Sequence, residues 1–210
     1  MLYLANPCTP KVRDAMRNPA NHLGIIATPR QGNSLILGVP WCGDNSVFGE
    51  QGYVGDEEFL AWLAHWPLWA AHQCLFAVAP DVVGDAAGTL ERSAPMLPRI
   101  REFGIPAALA AQNGLEDLTV PWDSFDVLFI GGDTEWKLGP AARALTAEAL
   151  ARGKRVHMGR VNSHERLRYA RDIGCHTADG TYLAFGPDTN LPKLLGWLRD
   201  VNHPTLWEAS

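Results

Sequence analysis

Cysteine is scarce in this chain: four in 210 residues, Cys8, Cys42, Cys74 and Cys175, with no CxxC pair and no secretory signal ahead of them. That scarcity excludes a disulfide framework and a sulfur-rich metal or redox centre, and it fits reduced thiols in a cytoplasm. Long apolar runs are also missing. Pro, His, Gly or a charge interrupts each one before about 18 residues, so no membrane span is expected. Basic residues are outnumbered, with 18 Lys and Arg against 23 Asp and Glu, a formal net charge of −5. A general polyanion binder needs clustered positive charge to displace counterions, and this composition excludes that class. One local concentration remains: Arg152, Lys154, Arg155, Arg160, Arg166, Arg168 and Arg171. It reads either as a solvated helix face or as a basic rim that meets nucleic acid on one side. GxGxxG is absent as well. Gly49, Gly52 and Gly55 have the wrong spacing, which argues against a nucleotide-binding doubly wound sheet.

What the chain does have is alternation. LYLA opens as a strand, and residues 10–17 predict a short helix stopped by Asn18-Pro19. GIIATP (24–29) and SLILGV (34–39), separated by the turn-like RQGN, predict a hairpin. Phe59, Trp62, Trp66 and Trp69 repeat at helical spacing and predict one buried aromatic stripe, on a helix that Pro67 bends or ends. LFAVAP, AALAAQ, VLFIGG, RVHMG and GCHTA then follow as strands. The intervening helices include 89–103, 140–152 and 163–173, the last capped by Ser163 and Gly174. Near-continuous apolar strands with helical crossovers mean a parallel sheet covered by helices. The expected fold is α/β: a compact TIM-like (β/α)8 barrel with a degenerate or hairpin-modified N-terminal part, forming one domain over residues 1–210. At 210 residues with 47% hydrophobic content the chain can bury one core, though it is short against the roughly 250 residues usual for such barrels.

Five strand-like runs end in a polar group: Asp44, Asp81, Gln112, the Gly131-Gly132 pair and Asp179. One group per strand end is how a barrel assembles an active site at a single mouth. The set complements the edge of a purine such as guanine. The Asp81 carboxylate accepts from the ring N–H and exocyclic amine, while the Gln112 amide and free backbone N–H groups at Gly131-Gly132 meet the carbonyl oxygen. Asp44 and Asp179 are then left for chemistry, one as nucleophile at an anomeric carbon and the other to move a proton. Lys137 and Arg160, just past strand ends, are candidates for backbone phosphate. Cys175-His176 beside His157 and His164 is not read as a metal site, because adjacent strand residues point to opposite faces.

The order Asp44 in WCGDNSVF, Asp81 in VAPDVVGD, Gln112 in AAQNGL, FIGG with Glu135 after it, HMGRVN and Asp179 in TADGT resembles the tRNA-guanine transglycosylase superfamily. It is most similar to the compact phage and bacterial members that insert 7-deazaguanines into DNA, over roughly residues 36–200. The resemblance implies Asp44, in the position of a DSGGF-type motif, as acid/base and Asp179 as nucleophile, although the two can exchange roles. It implies Asp81 and Gln112 as base-recognising groups, with Gly131, Gly132 and Glu135 in the GGLxxGE-type loop. His157, Met158 and Gly159 fall on a YLMGVG-like segment. The FDCxxPTR pattern that flanks the family's nucleophile is absent, and so is the CxCxxC cluster that holds zinc in the tRNA-modifying relatives, so no metal is expected. The absence of that cluster also tilts the substrate from tRNA toward DNA or a smaller nucleoside. The implied activity is exchange of guanine in a nucleic acid, DNA favoured, for a 7-deazaguanine base, with no redox or nucleotide cofactor. A nucleoside or N-glycosidic hydrolase and a silent guanine-binding subunit that assists a partner are the other readings, and dimerisation is left open.

Overall fold

The computed structural model describes residues 1–32, 34–49 and 52–203. Eight strands form a closed parallel barrel in chain order: β1 (Leu2–Ala5), β2 (Leu23–Ala27), β3 (Trp41–Gly43), β4 (Cys74–Val78), β5 (Ala107–Ala111), β6 (Val127–Ile130), β7 (Arg155–Met158) and β8 (Thr177–Asp179). Closure is made by β8 against β1, with Leu4 opposite Asp179. Around the barrel run α1 (Pro10–Met16), α2 (Asp56–Ala64), α3 (Leu68–Gln73), α4 (Ala86–Ser93), α5 (Met96–Arg101), α6 (Thr134–Leu138), α7 (Pro140–Ala151), α8 (His164–Asp172) and α9 (Pro187–Asn202). The connections after β2 and β5 carry no α-helix among their described residues, which is how so short a chain closes eight strands.

The strands are apolar on both faces because each face is buried against something different. Leu4, Cys42, Phe76, Val78, Ala108, Ala110 and Val127 point inward and fill the barrel. Tyr3, Ile25, Trp41, Leu109, Leu128, Val156 and Met158 alternate with them and pack outward under the helices.

Two expectations fail here for physical reasons. SLILGV is not the return strand of a hairpin: residues 34–40 carry no strand, and β3 starts at Trp41, parallel to β2. The segment is apolar because Ile36 and Val39 are buried in the core, while Gly38 takes a left-handed turn with φ 85°. Asn33, the end of the expected turn, lies outside the described residues. The aromatic stripe is also shorter than its spacing implies. Phe59, Trp62 and Trp66 cluster on Trp41, but Pro67 starts the separate helix α3 and leaves Trp69 exposed. Trp41 in turn ties α3 to the barrel by donating from its indole Nε1 to the Ala70 carbonyl at 2.7 Å.

Candidate functional site at the barrel mouth

All strands run the same way, so their C-terminal ends share one rim. A cavity of about 340 Å³ opens there. Ile26, Val78, Ala110 and Phe129, inward residues of β2, β4, β5 and β6, contribute its apolar wall, while Asp44, Asp81, Gln112, Gly131, Arg160 and Asp179 bring polar groups. Six of the residues singled out from sequence therefore meet in one cavity.

Asp179 is the last residue of β8, and its side chain shares the inward face with Thr177 two residues before. His157 of β7 sits opposite Thr177 in the strand register. It is fully buried inside the barrel against the rings of Phe76 and Phe129. Its Nε2 lies 2.9 Å from Asp179 Oδ1 and its Nδ1 2.7 Å from Thr177 Oγ. An ionised carboxylate only accepts, so in the neutral ring Nε2 carries the proton and the Thr177 hydroxyl donates to Nδ1. One oxygen of Asp179 is thus held, and the carboxylate is aimed. The Gly159 backbone is close enough that a Cβ there would stand 2.8 Å from Phe129 and 3.4 Å from Asp179 Oδ1.

Asp44 follows β3 directly. Its Oδ1 accepts from the Ser46 N–H at 2.8 Å, and Asn45 Oδ1 accepts from the Val47 N–H at 2.9 Å, two successive turns that set Ser46 in a left-handed conformation with φ 64°. Turn-capping and a place at the mouth therefore coincide in Asp44. Burial pushes its carboxyl up to about 7; the Ser46 bond opposes the rise, and the charges of Asp179 and Asp81 add to it.

Asp81 is braced rather than free. Asn45 Nδ2 donates to one oxygen at 2.9 Å and Gln112 Nε2 to the other at 2.6 Å. Burial raises this carboxyl too, opposed by the two amide bonds and Arg160. Asn45 also donates to the Ala79 carbonyl, and Gln112 Oε1 accepts from the Gly84 N–H at 3.1 Å. The loops after β3, β4 and β5 are locked to one another through this carboxylate, which lines the cavity.

The other expected residues divide. The Gly131 and Gly132 N–H groups are not free: both donate to the Ala111 carbonyl, at 2.9 and 3.0 Å, and their own carbonyls accept from Arg160. Gly132 is glycine because a Cβ would run into the Trp136 ring and stand 2.6 Å from Asn113 Oδ1. Glu135 is exposed in the first turn of α6 and does not line the cavity. Met158 points outward into the sheet–helix core, since it neighbours the inward His157 on the strand. Lys137 is buried, donating from Nζ to the Gly159 carbonyl at 2.7 Å. Burial first, then Arg160, holds its amine down at about 8, against the pull of Asp179. Arg160 does reach the mouth, with its guanidinium carbon 4.5 Å from the centre of the exposed Phe48 ring.

Among solved structures, Mycobacterium tuberculosis tryptophan synthase superposes with a TM-score of 0.54 at 13% identity, over 95% of this chain and 88% of that one. A native KDPGal structure gives 0.54 at 15% identity, over 96% and 94%. The Amycolatopsis orientalis BexX/CysO complex gives 0.54 at 18%, over 97% and 92%. The chain has the TIM-barrel fold. At these identities the likeness carries the architecture alone. No protein-family model and no curated protein matches the sequence.

Asn45 and Thr177 were not singled out from sequence as site residues. Thr177 carried a usable signal, because it stands two residues before Asp179 on one strand face. Among the described residues no group of three His, Cys, Asp or Glu side chains is placed to hold a metal ion, and no helix is long and apolar enough to cross a membrane.

Proposed function

We propose that this protein is a base-exchange transglycosylase that replaces guanine in a nucleic acid, DNA in preference to tRNA, with a 7-deazaguanine base. The observation that carries the reading is the unequal pair of carboxylates on one mouth. Asp44 is held near neutrality by burial, so it can both give and take a proton at working pH. Asp179 is aimed by His157 with one oxygen left to attack.

In the first step an Asp179 oxygen forms a bond to the anomeric carbon as the bond from that carbon to the guanine nitrogen breaks. The electron pair leaves with the base, which takes a proton from Asp44. In the second step the Asp44 carboxylate removes an N–H proton from the incoming base. Its nitrogen then attacks the anomeric carbon and releases Asp179, so protons and bonds balance over the cycle. No redox or nucleotide cofactor enters this cycle. Asp81, with Gln112 and Asn45, offers acceptors and spare amide capacity to the base edge. With the Gly131 and Gly132 N–H groups engaged, donation to the base oxygen falls to the second Gln112 amide proton.

The test is incubation with labelled guanine or 7-cyano-7-deazaguanine and either DNA or tRNA, followed by nucleoside mass spectrometry. Incorporation into DNA is expected. Incorporation into tRNA alone overturns the DNA assignment, and base release without incorporation makes the protein a hydrolase, with water activated by Asp44.

A further inference from the structure

The basic run between 152 and 171 splits on folding. Arg152, Lys154 and Arg155 lie at or just before the start of β7, at the barrel end opposite the mouth. Arg152 pairs with Glu148 and Lys154 donates to the Phe125 carbonyl. Arg171 pairs with Asp172. Arg160, just past β7, and Arg166, in the first turn of α8, remain on the mouth side. They line one small cleft together with Lys137, and Arg160 lines the mouth cavity as well.

Three cations line this cleft, and the carboxylates of Asp81 and Asp133 act on Arg160 from nearby. Arg160 and Arg166 both press the buried Lys137 amine down, with Asp179 and Asp133 as the opposing charges. Arg166 stands at the positive end of the α8 dipole, where a cation is disfavoured and an anion favoured. Arg160 holds a left-handed backbone, φ 60°, fixed by its donation to the Gly131 and Gly132 carbonyls and by Phe48 beneath its plane. An anion beside both guanidiniums would offset their joint effect on Lys137, and their planar forks match phosphate oxygens.

We propose that Arg160 and Arg166 form a phosphate subsite beside the mouth, which takes a phosphodiester of the strand whose nucleotide enters the cavity. Lys137 supports it from below by fixing the Gly159 carbonyl. This inference rests on the nucleic-acid reading above and adds how the strand is held.

The experiment is an anisotropy titration of a guanine-containing single-stranded deoxyoligonucleotide over a salt series, with wild type and Arg166→Ala. The variant is expected to bind about tenfold more weakly at low salt and to show a salt slope shallower by about one. Its affinity for unphosphorylated 2′-deoxyguanosine should be unchanged. Arg166→Gln gives the same reading should the alanine variant not fold. Unchanged strand affinity, or an equal loss for 2′-deoxyguanosine, overturns the subsite. Inorganic phosphate that displaces the strand at low concentration assigns the subsite to free phosphate and overturns the strand. Failure of base exchange with phosphate-dependent strand binding intact removes the transglycosylase reading and leaves the subsite standing.

Discussion

His157 Nε2 lies 2.9 Å from Asp179 Oδ1, inside the barrel, while the same ring takes a hydrogen bond from Thr177 on its other nitrogen. Under the proposed reaction, this relationship separates the roles of the two mouth carboxylates. A carboxylate fixed by an imidazole N–H is oriented for attack, whereas Asp44, held near neutrality without such a partner, is suited to exchange protons.

Substituting His157→Ala removes a hydrogen bond to a charged group worth about 1.5 to 3 kcal/mol. Turnover should fall roughly 10- to 100-fold with KM for the strand nearly unchanged, because His157 touches Asp179 and does not line the cavity. Steady-state kinetics check this. A rise in KM at constant kcat would mean that His157 contacts substrate directly.

Asp44 gives a stability signature with a definite sign. Its folded pKa, about 7, stands above the ordinary carboxylate value of 3.8, so the folded state binds this proton more tightly than the unfolded state. The stabilisation from Asp44 is present at low pH and is lost as pH rises between those two values. Asp44→Asn should therefore raise Tm relative to wild type at pH about 8 and far less at pH about 4. Thermal unfolding at both pH values checks it, and a Tm difference independent of pH would contradict the raised pKa.

The barrel was legible because strand periodicity and strand-end polarity are local properties, and Asp44, Asp81, Gln112 and Asp179 do converge at one mouth. What was not legible depends on partners distant in sequence. The Gly131-Gly132 donors are consumed by the carbonyl of Ala111 on the neighbouring strand, and SLILGV is apolar because Ile36 and Val39 reach the core without forming a strand. Met158 followed a motif position, but the alternation that turns His157 inward turns Met158 outward.

Gly132→Ala tests that correction. The added Cβ would meet the Trp136 ring and Asn113, so stability should drop by about 1 to 3 kcal/mol. Guanine affinity of the folded fraction should be kept. Urea unfolding alongside guanine titration separates the two, and an affinity loss at unchanged stability would restore these glycines to base contact.

Gln112→Ala leaves the Gly84 N–H and one oxygen of Asp81 without their partner. A cost of about 1 to 3 kcal/mol is expected from the unpaired groups, together with weaker guanine binding, because Asp81 loses its orientation. Urea unfolding and calorimetric titration with guanine check both. Unchanged stability would show that the Asp81 brace is not what locks these loops.

The central claim is a covalent bond between Asp179 and the sugar. An acid-quenched mixture of the protein with a guanine-containing deoxyoligonucleotide, read by intact-protein mass spectrometry, should show an adduct equal to the strand less one guanine, mapping to Asp179 and absent from Asp179→Asn. Guanine release or exchange by wild type with no such adduct, or an adduct that maps to Asp44, would contradict the account.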